Sequence, residues 1–278
     1  MTKSDDEAVA NWPTEVVMTD GRHALEDPVV VEDPLQIRIG TEKEEALETL
    51  GITMRTPGAD RELALGFLFG ERVIGGPDEV LAVQESDDAR PLHRGIDVRL
   101  APECISRIDS RRLLLVTSAC GVCGKSAVDA ALEGGVPPLP PGPSLALEEL
   151  VAMMEAMRRQ QATFDRTGGL HAAALFTESG ELITIHEDVG RHNAVDKVVG
   201  ERLLAGELPV GESVMTVSGR LGFEIVQKAA RAGVPFLAAV GAPTSLSLRL
   251  AARVGMTVVG FLRRERGNVY TEPGRLVA

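Results

Sequence analysis

Two cysteines pose the chemical question. Cys120 and Cys123 stand in Ser118-Ala119-Cys120-Gly121-Val122-Cys123-Gly124-Lys125, between a run that reads as a buried strand and one that reads as the start of a helix. A thiol at such a turn faces unpaired backbone amides and the positive end of the helix dipole, and both favour its thiolate. Settings of this kind lower a cysteine pKa from about 8.5 to roughly 3.5–7.5, and the thiolate is the form that attacks sulfur or accepts it as a persulfide. Lys125 adds positive charge, while Gly121 and Gly124 leave room for a bulky partner. The same pair also fits two of four zinc ligands, a disulfide exchanger, or two packed thiols. Zinc lacks a second pair, since Cys104, His171, His186 and His192 show no ligand spacing with one another. The zinc-deaminase pattern fails as well: Ala172-Ala173 follow His171 where His-x-Glu is required, and no proline precedes Cys120. Ala119 to Ser126 departs from a phosphate-binding loop at its first glycine. Cys104, alone in Ala101-Pro102-Glu103-Cys104, reads as structural.

Three further groups point to an anionic ligand. Glu187 to Lys197 is a dense polar loop entering a helix, where Arg191 and His192 could hold an anion with help from backbone amides. The bland alternative is a solvated helix cap. Ser218-Gly219-Arg220 and Gly241-Ala242-Pro243-Thr244-Ser245 each follow an expected strand and precede an expected helix, the edge of an α/β sheet where ligands bind. Arg263, Arg264 and Arg266 follow the last expected strand, so an acidic chain gathers arginines where a phosphate-bearing ligand would sit. A basic surface loop is the competing reading.

The elements that must position these groups are legible in outline. Residues 1–27 are polar without a sustained period and read as a mobile tail. Val29 to Val31, Leu35 to Ile39, Ile52 to Thr56 and Ile96 to Leu100 read as strands, with a turn at Asp33-Pro34 and a helix over Asp60 to Leu68 capped by Asp60. Arg112 to Thr117 reads as a strand and Lys125 to Leu132 as a short helix. The five prolines of Val136 to Pro143 make an extended connector, which separates an N-terminal part (28–135) from a C-terminal α/β part (144–278). Leu147 to Asp165 carries apolar residues at helical spacing and predicts one long amphipathic helix, with Ser144 as its cap. From His171, strands 172–177, 181–186, 213–217, 235–240 and 256–262 alternate with helices 193–204, 223–232 and 245–254, which predicts a largely parallel sheet.

Composition narrows the classes. With 278 residues and 44% hydrophobic content, the chain can bury a full core. A net charge of −12 and 3% aromatic residues argue against a nucleic-acid surface. No apolar run approaches bilayer-crossing length and no basic leader with an apolar core opens the sequence, so the expectation is a cytoplasmic protein with no membrane partner. Three cysteines, an odd number, do not make a disulfide framework.

Taken in order, Ser118 to Lys125, Gly168-Gly169-Leu170-His171-Ala172-Ala173, Asp188 to Lys197, Ser218-Gly219-Arg220 and Ala242-Pro243-Thr244-Ser245-Leu246 resemble FdhD, the formate dehydrogenase accessory sulfurtransferase family, over about Val29 to the C-terminus. Asp188 to Lys197 is the most specific of the five. The resemblance implies an α/β, cytidine-deaminase-like layered fold without the deaminase zinc, plus a smaller N-terminal β-rich part. It implies a sulfur carrier that takes persulfide sulfur from a cysteine desulfurase and passes it to the molybdenum cofactor, in its bis-molybdopterin guanine dinucleotide form, for formate dehydrogenase. Cys120 would carry the persulfide and Cys123 support transfer. The family's cofactor-binding stretch falls on Phe261, Leu262, Arg263, Arg264, Glu265 and Arg266, beside the ligand edge of Arg191, His192, Ser218, Gly219, Arg220 and Thr244. A homodimer is also implied. Gly222 and Gly241 stand where the family commonly has serine.

Overall fold

The computed structural model describes residues 7–44, 46–87, 94–108 and 136–277. Cys120, Cys123 and the strand and helix expected on either side of them lie outside the described residues. The chain opens with a hairpin of β1 (Val9–Met18) and β2 (Gly21–Val30). A four-stranded sheet follows, made of β3 (Asp33–Gly40), β4 (Glu48–Arg55), β5 (Val80–Asp87) and β6 (Arg94–Leu100) in the order β4-β3-β6-β5. Helix α1 (Asp60–Gly70) leaves β4, and the short α2 (Pro102–Ile105) leaves β6. Beyond the proline connector come β7 (Leu145–Ala146), α3 (Leu147–Arg159) and α4 (Ala162–Thr167). The second sheet is built from β8 (His171–Phe176), β9 (Leu182–Asp188), β10 (Val214–Val217), β11 (Phe236–Ala239), β12 (Thr257–Arg263) and β13 (Arg266–Thr271). Helices α5 (Arg191–Leu204), α6 (Phe223–Arg231) and α7 (Ser245–Val254) connect its strands, and β14 (Leu276–Val277) returns to pair with β7.

Strand alternation sets the layers. On β8, β10, β11 and β12, one face (Ala173, Leu175, Met215, Val217, Leu237, Val258) packs on α5, α6 and α7. The other (Ala174, Phe176, Val214, Phe236, Val259) packs on Leu150, Met153, Met154 and Met157 of α3. Helix α5 is covered in turn by α1, and the two backbones touch where both carry glycine. A Cβ on Gly66 would lie 1.8 Å from the Asp196 carbonyl oxygen, and one on Gly200 1.8 Å from that of Glu62.

The structure departs from the sequence expectations at several points. Residues 9–27, read as tail, belong to the β1–β2 hairpin. The second sheet is mixed rather than mostly parallel. Its order is β13-β12-β11-β10-β8-β9, and only β10–β11 and β11–β12 are parallel. The tight turns between β8 and β9 and between β12 and β13 permit only antiparallel pairing. The single helix over 147–165 breaks at Gln160-Gln161, because the Glu187 carboxylate accepts the Thr163 and Phe164 amides (3.0 and 2.9 Å) and caps a new helix, α4. Ser144 does not cap α3; Glu149 closes that end by accepting the Ala146 amide at 2.7 Å. Asp60 is not the α1 cap either, for it binds the buried Arg55 guanidinium through two hydrogen bonds of 2.8 Å. The parts on either side of the connector share one core: Leu35, Ile37 and Leu68 belong to the same buried cluster as Val195, Val226 and Leu237. Among the described residues no helix is long and apolar enough to cross a membrane.

Candidate functional site

Sheet polarity brings the separate motifs to one edge. The parallel strands β10, β11 and β12 end there, so the loops after Val217, Ala239 and Arg263 emerge side by side. Strand β8 runs the other way and begins at that edge with His171, while β9 ends there at Asp188 and leads into Arg191. Backbone hydrogen bonds fuse the loops into a platform: Gly241 N–H donates to Gly219 O (3.2 Å), Leu221 N–H to Ala242 O (3.0 Å), and Phe261 N–H to Gly241 O (3.2 Å). Gly241 is obligatory in this arrangement. A Cβ there would meet Gly219 O at 2.5 Å, whereas one on Gly222 meets nothing within 4 Å, so of these two glycines only Gly222 would accept a side chain without a backbone shift.

The motif from Asp188 to Lys197 divides into a buried lock and an outward pair. Asp188 is fully buried; its carboxylate meets Lys197 Nζ at 2.7 Å and accepts Gly190 N–H (2.8 Å), Asn193 Nδ2 (2.9 Å) and Thr56 N–H (3.2 Å). Lys197 also donates to Thr56 O (2.9 Å), and Asn193 to Met54 O (2.8 Å), so these side chains fasten the start of α5 to the end of β4. Asp196 pairs with Lys228 at 2.6 Å inside the core; burial pushes its carboxyl up to about 6, and the ammonium opposes that rise. Four of the polar residues read as a ligand loop are therefore scaffold. Arg191 remains to face the platform.

Around Arg191 the geometry is that of an anion cradle. A Cβ on Gly219 would sit 3.4 Å from the Arg191 side chain and 3.5 Å from His171 Nδ1, so glycine leaves both approachable. Arg191 Nε is buried with no hydrogen-bond partner among the described residues. Ser218 Oγ accepts Ala172 N–H (2.9 Å) and lies 3.4 Å from His171 Nδ1. Burial, and then the charges of Arg191 and Arg220, hold the His171 imidazole below its ordinary pKa against the pull of Asp188, so the ring is neutral at pH 7. His192 is held by Glu224 of α6 at 3.3 Å. Arg220, Arg263, Arg264 and Arg266 are exposed, with Glu265 as the only acid in the β12–β13 turn. Two non-glycine residues here lie in the left-handed region, Phe261 (φ 52°) in the irregular end of β12 and Arg264 (φ 47°) in the turn, conformations costing on the order of 1 kcal/mol or more each that cluster at ligand sites.

Two expected ligand residues have other duties. Leu262 is 1% exposed in the α3-side core. The Thr244 hydroxyl accepts Ser247 N–H (3.3 Å) as the N-cap of α7. His171, which the sequence brought forward as a metal ligand and within a family motif, carries a positional signal: it opens the strand next to the one that ends at Val217, just before Ser218. Among the described residues no group of three or more His, Cys, Asp or Glu is arranged to hold a metal.

The model of the FdhD/NarQ family matches residues 30–277. The sulfur carrier protein FdhD of Streptomyces avermitilis is 48% identical over 257 residues, covering 90% of this chain and 89% of its own. That of Anaeromyxobacter dehalogenans is 47% identical over 269 residues, covering 91% and 90%. A crystal structure from Desulfotalea psychrophila, described as a formate dehydrogenase accessory protein, superimposes with a TM-score of 0.75 at 28% identity, covering 97% of this chain and all of that one. The family that the ordered motifs resembled is thus the one that residues 30–277 match, and the protein belongs to the FdhD/NarQ family.

Proposed function

We propose that this protein is a sulfur carrier, acting in the cytoplasm as a homodimer, that matures a formate dehydrogenase. The Cys120 thiolate attacks the sulfane sulfur held on a cysteine desulfurase; a new S–S bond forms at Cys120 and the donor's own thiolate leaves. Cys123 supports the onward transfer. The acceptor, as substrate, is the molybdenum cofactor in its bis-molybdopterin guanine dinucleotide form, which belongs at the arginine-lined edge. A guanidinium pairs with phosphate through two parallel hydrogen bonds, so Arg191, Arg220 and the arginines at 263, 264 and 266 suit its pyrophosphates, with His171 and Ser218 as neutral partners. Helices on both faces of a mixed sheet agree with a cytidine-deaminase-like layering that works without zinc.

The observation that carries this reading is the meeting of Arg191, Arg220 and His171 around Gly219 on one sheet edge, in a chain whose relatives are named sulfur carriers. Incubation with a cysteine desulfurase and cysteine should add the mass of one sulfur to Cys120, and Cys120→Ala should abolish it. No added sulfur on either Cys120 or Cys123 would sink the proposal, and zinc in proportion to protein, lost in Cys120→Ala, would replace it with a metal-binding chaperone.

A further inference from the structure

Tyr270, the only tyrosine of the chain, lies on β13 with 38% of its surface exposed and belongs to neither buried cluster. Among the described residues, it and Trp12 are the aromatic members of the exposed large apolar side chains. A bulge sets its direction. Val258 pairs with Thr271 and Val259 with Val269, so Tyr270 is the extra residue of β13, with no partner of its own on β12. Such a residue bends its strand and re-aims its side chain, a device common beside active sites. Here the ring turns over Gly260. A Cβ at that position would lie 3.1 Å from Tyr270 Cε2, 3.1 Å from Pro243 Cδ and 3.1 Å from Gly241 O. Glycine inside a strand marks close approaches of this kind. The ring thus flanks the loop platform, with Asn268 Nδ2 3.5 Å from its hydroxyl.

We infer that the Tyr270 ring is the surface on which a purine base of the acceptor dinucleotide stacks, which makes Tyr270 a specificity-determining residue for that substrate. The inference rests on the acceptor proposed above and adds the group that reads its base. Four positions follow one another across the sheet order β13-β12-β11-β10: Tyr270, Gly260, Gly241 just beyond β11, and Gly219 just beyond β10. The Phe261 amide on Gly241 O and the Gly241 amide on Gly219 O tie them together. At the far end the Arg191 side chain lies 3.4 Å from where a Gly219 Cβ would be. Three strand spacings of about 4.8 Å separate Tyr270 from Gly219, about 14 Å in all. That span is comparable to an extended nucleoside diphosphate, and the three glycines keep side chains off the line between its ends. An aromatic face at one end and guanidinium groups at the other match a base and its pyrophosphate. A ring face attracts any base, and a purine covers more of it than a pyrimidine does.

Calorimetry on the full chain tests this with guanosine diphosphate, cytidine diphosphate and inorganic pyrophosphate as the probes. The unmodified protein should bind the guanosine nucleotide more tightly than the cytidine one. Tyr270→Ala should weaken guanosine diphosphate binding by roughly 5- to 150-fold, the range for loss of one base–aromatic stack, and leave pyrophosphate affinity unchanged. Tyr270→Phe should restore the nucleotide affinity, whereas Arg220→Ala should weaken all three ligands. As the only tyrosine, Tyr270 gives a single set of ring resonances, which should move upfield with guanosine diphosphate and stay in place with pyrophosphate. Nucleotide binding indifferent to Tyr270→Ala, an equal loss of pyrophosphate, no preference for the purine, or ring resonances that ignore the nucleotide would overturn this inference and leave the acceptor reading standing. An unmodified chain that bound none of the three probes would overturn both.

Discussion

Replacing Lys197 by methionine separates the lock from the ligand site. The ammonium is buried against the fully buried Asp188 at 2.7 Å and donates to Thr56 O at 2.9 Å. Methionine matches the length of the side chain but leaves the carboxylate without its counter-charge. Breaking a buried ion pair from one side costs about 3–5 kcal/mol. At about 2–4 °C per kcal/mol for a chain of this size, the unfolding midpoint should fall by roughly 6–20 °C. Removing both partners, with Asp188→Leu added, should not restore it, because Asp188 also accepts from Gly190, Asn193 and Thr56. Those donors would then be buried unpaired, at about 1–3 kcal/mol each. Urea and thermal denaturation measure the loss, and binding of a guanine dinucleotide at saturating protein concentration measures the site. A stable Lys197→Met protein that no longer bound the nucleotide would refute the reasoning, since it would make Lys197 a ligand group.

Other expectations follow from single contacts. Gly200→Ala should destabilise by about 3 kcal/mol or more, because its Cβ would lie 1.8 Å from the Glu62 carbonyl oxygen and α1 and α5 would have to part; chemical denaturation reads this directly. A native-state alkylation assay should modify Cys120 and Cys123 and spare Cys104, whose thiol is pushed up to about 11 by burial and by Glu79 beside it. Glu79 is held at about 2, chiefly by its hydrogen bond to Arg107, against an ordinary value of 4.5. A depressed carboxyl contributes stability that is present above pH 4.5 and is lost as pH falls toward 2, so Arg107→Ala should flatten the acid limb of the stability profile in that window; an unchanged limb would refute the pairing.

The meeting of these loops at one sheet edge was legible in the sequence because each of them follows a strand: Ser218-Gly219-Arg220 after β10 and Gly241 to Ser245 after β11 lie next to one another whenever those strands are parallel neighbours. The βαβ alternation from Val214 to Arg263 was legible for the same reason, since helical and strand periods differ. Periodicity carries no information about a helix broken from outside by a distant carboxylate, as α3 and α4 are by Glu187. It also does not say which polar residues of a motif turn inward.

By itself, then, the sequence determined the family and the placement of arginines beyond the strand ends, both of them properties of residue type and local order. Only the tertiary structure decided that Asp188, Asn193, Asp196 and Lys197 serve as scaffold while Arg191 points at the platform. It likewise decided that Leu262 and Thr244 are spent on packing and capping, and that His171 joins the cradle. The physical reason is that burial and partnership are set across long stretches of chain: Asp188 is a lock because Thr56, 132 residues away, brings it an amide, and no local pattern records that meeting.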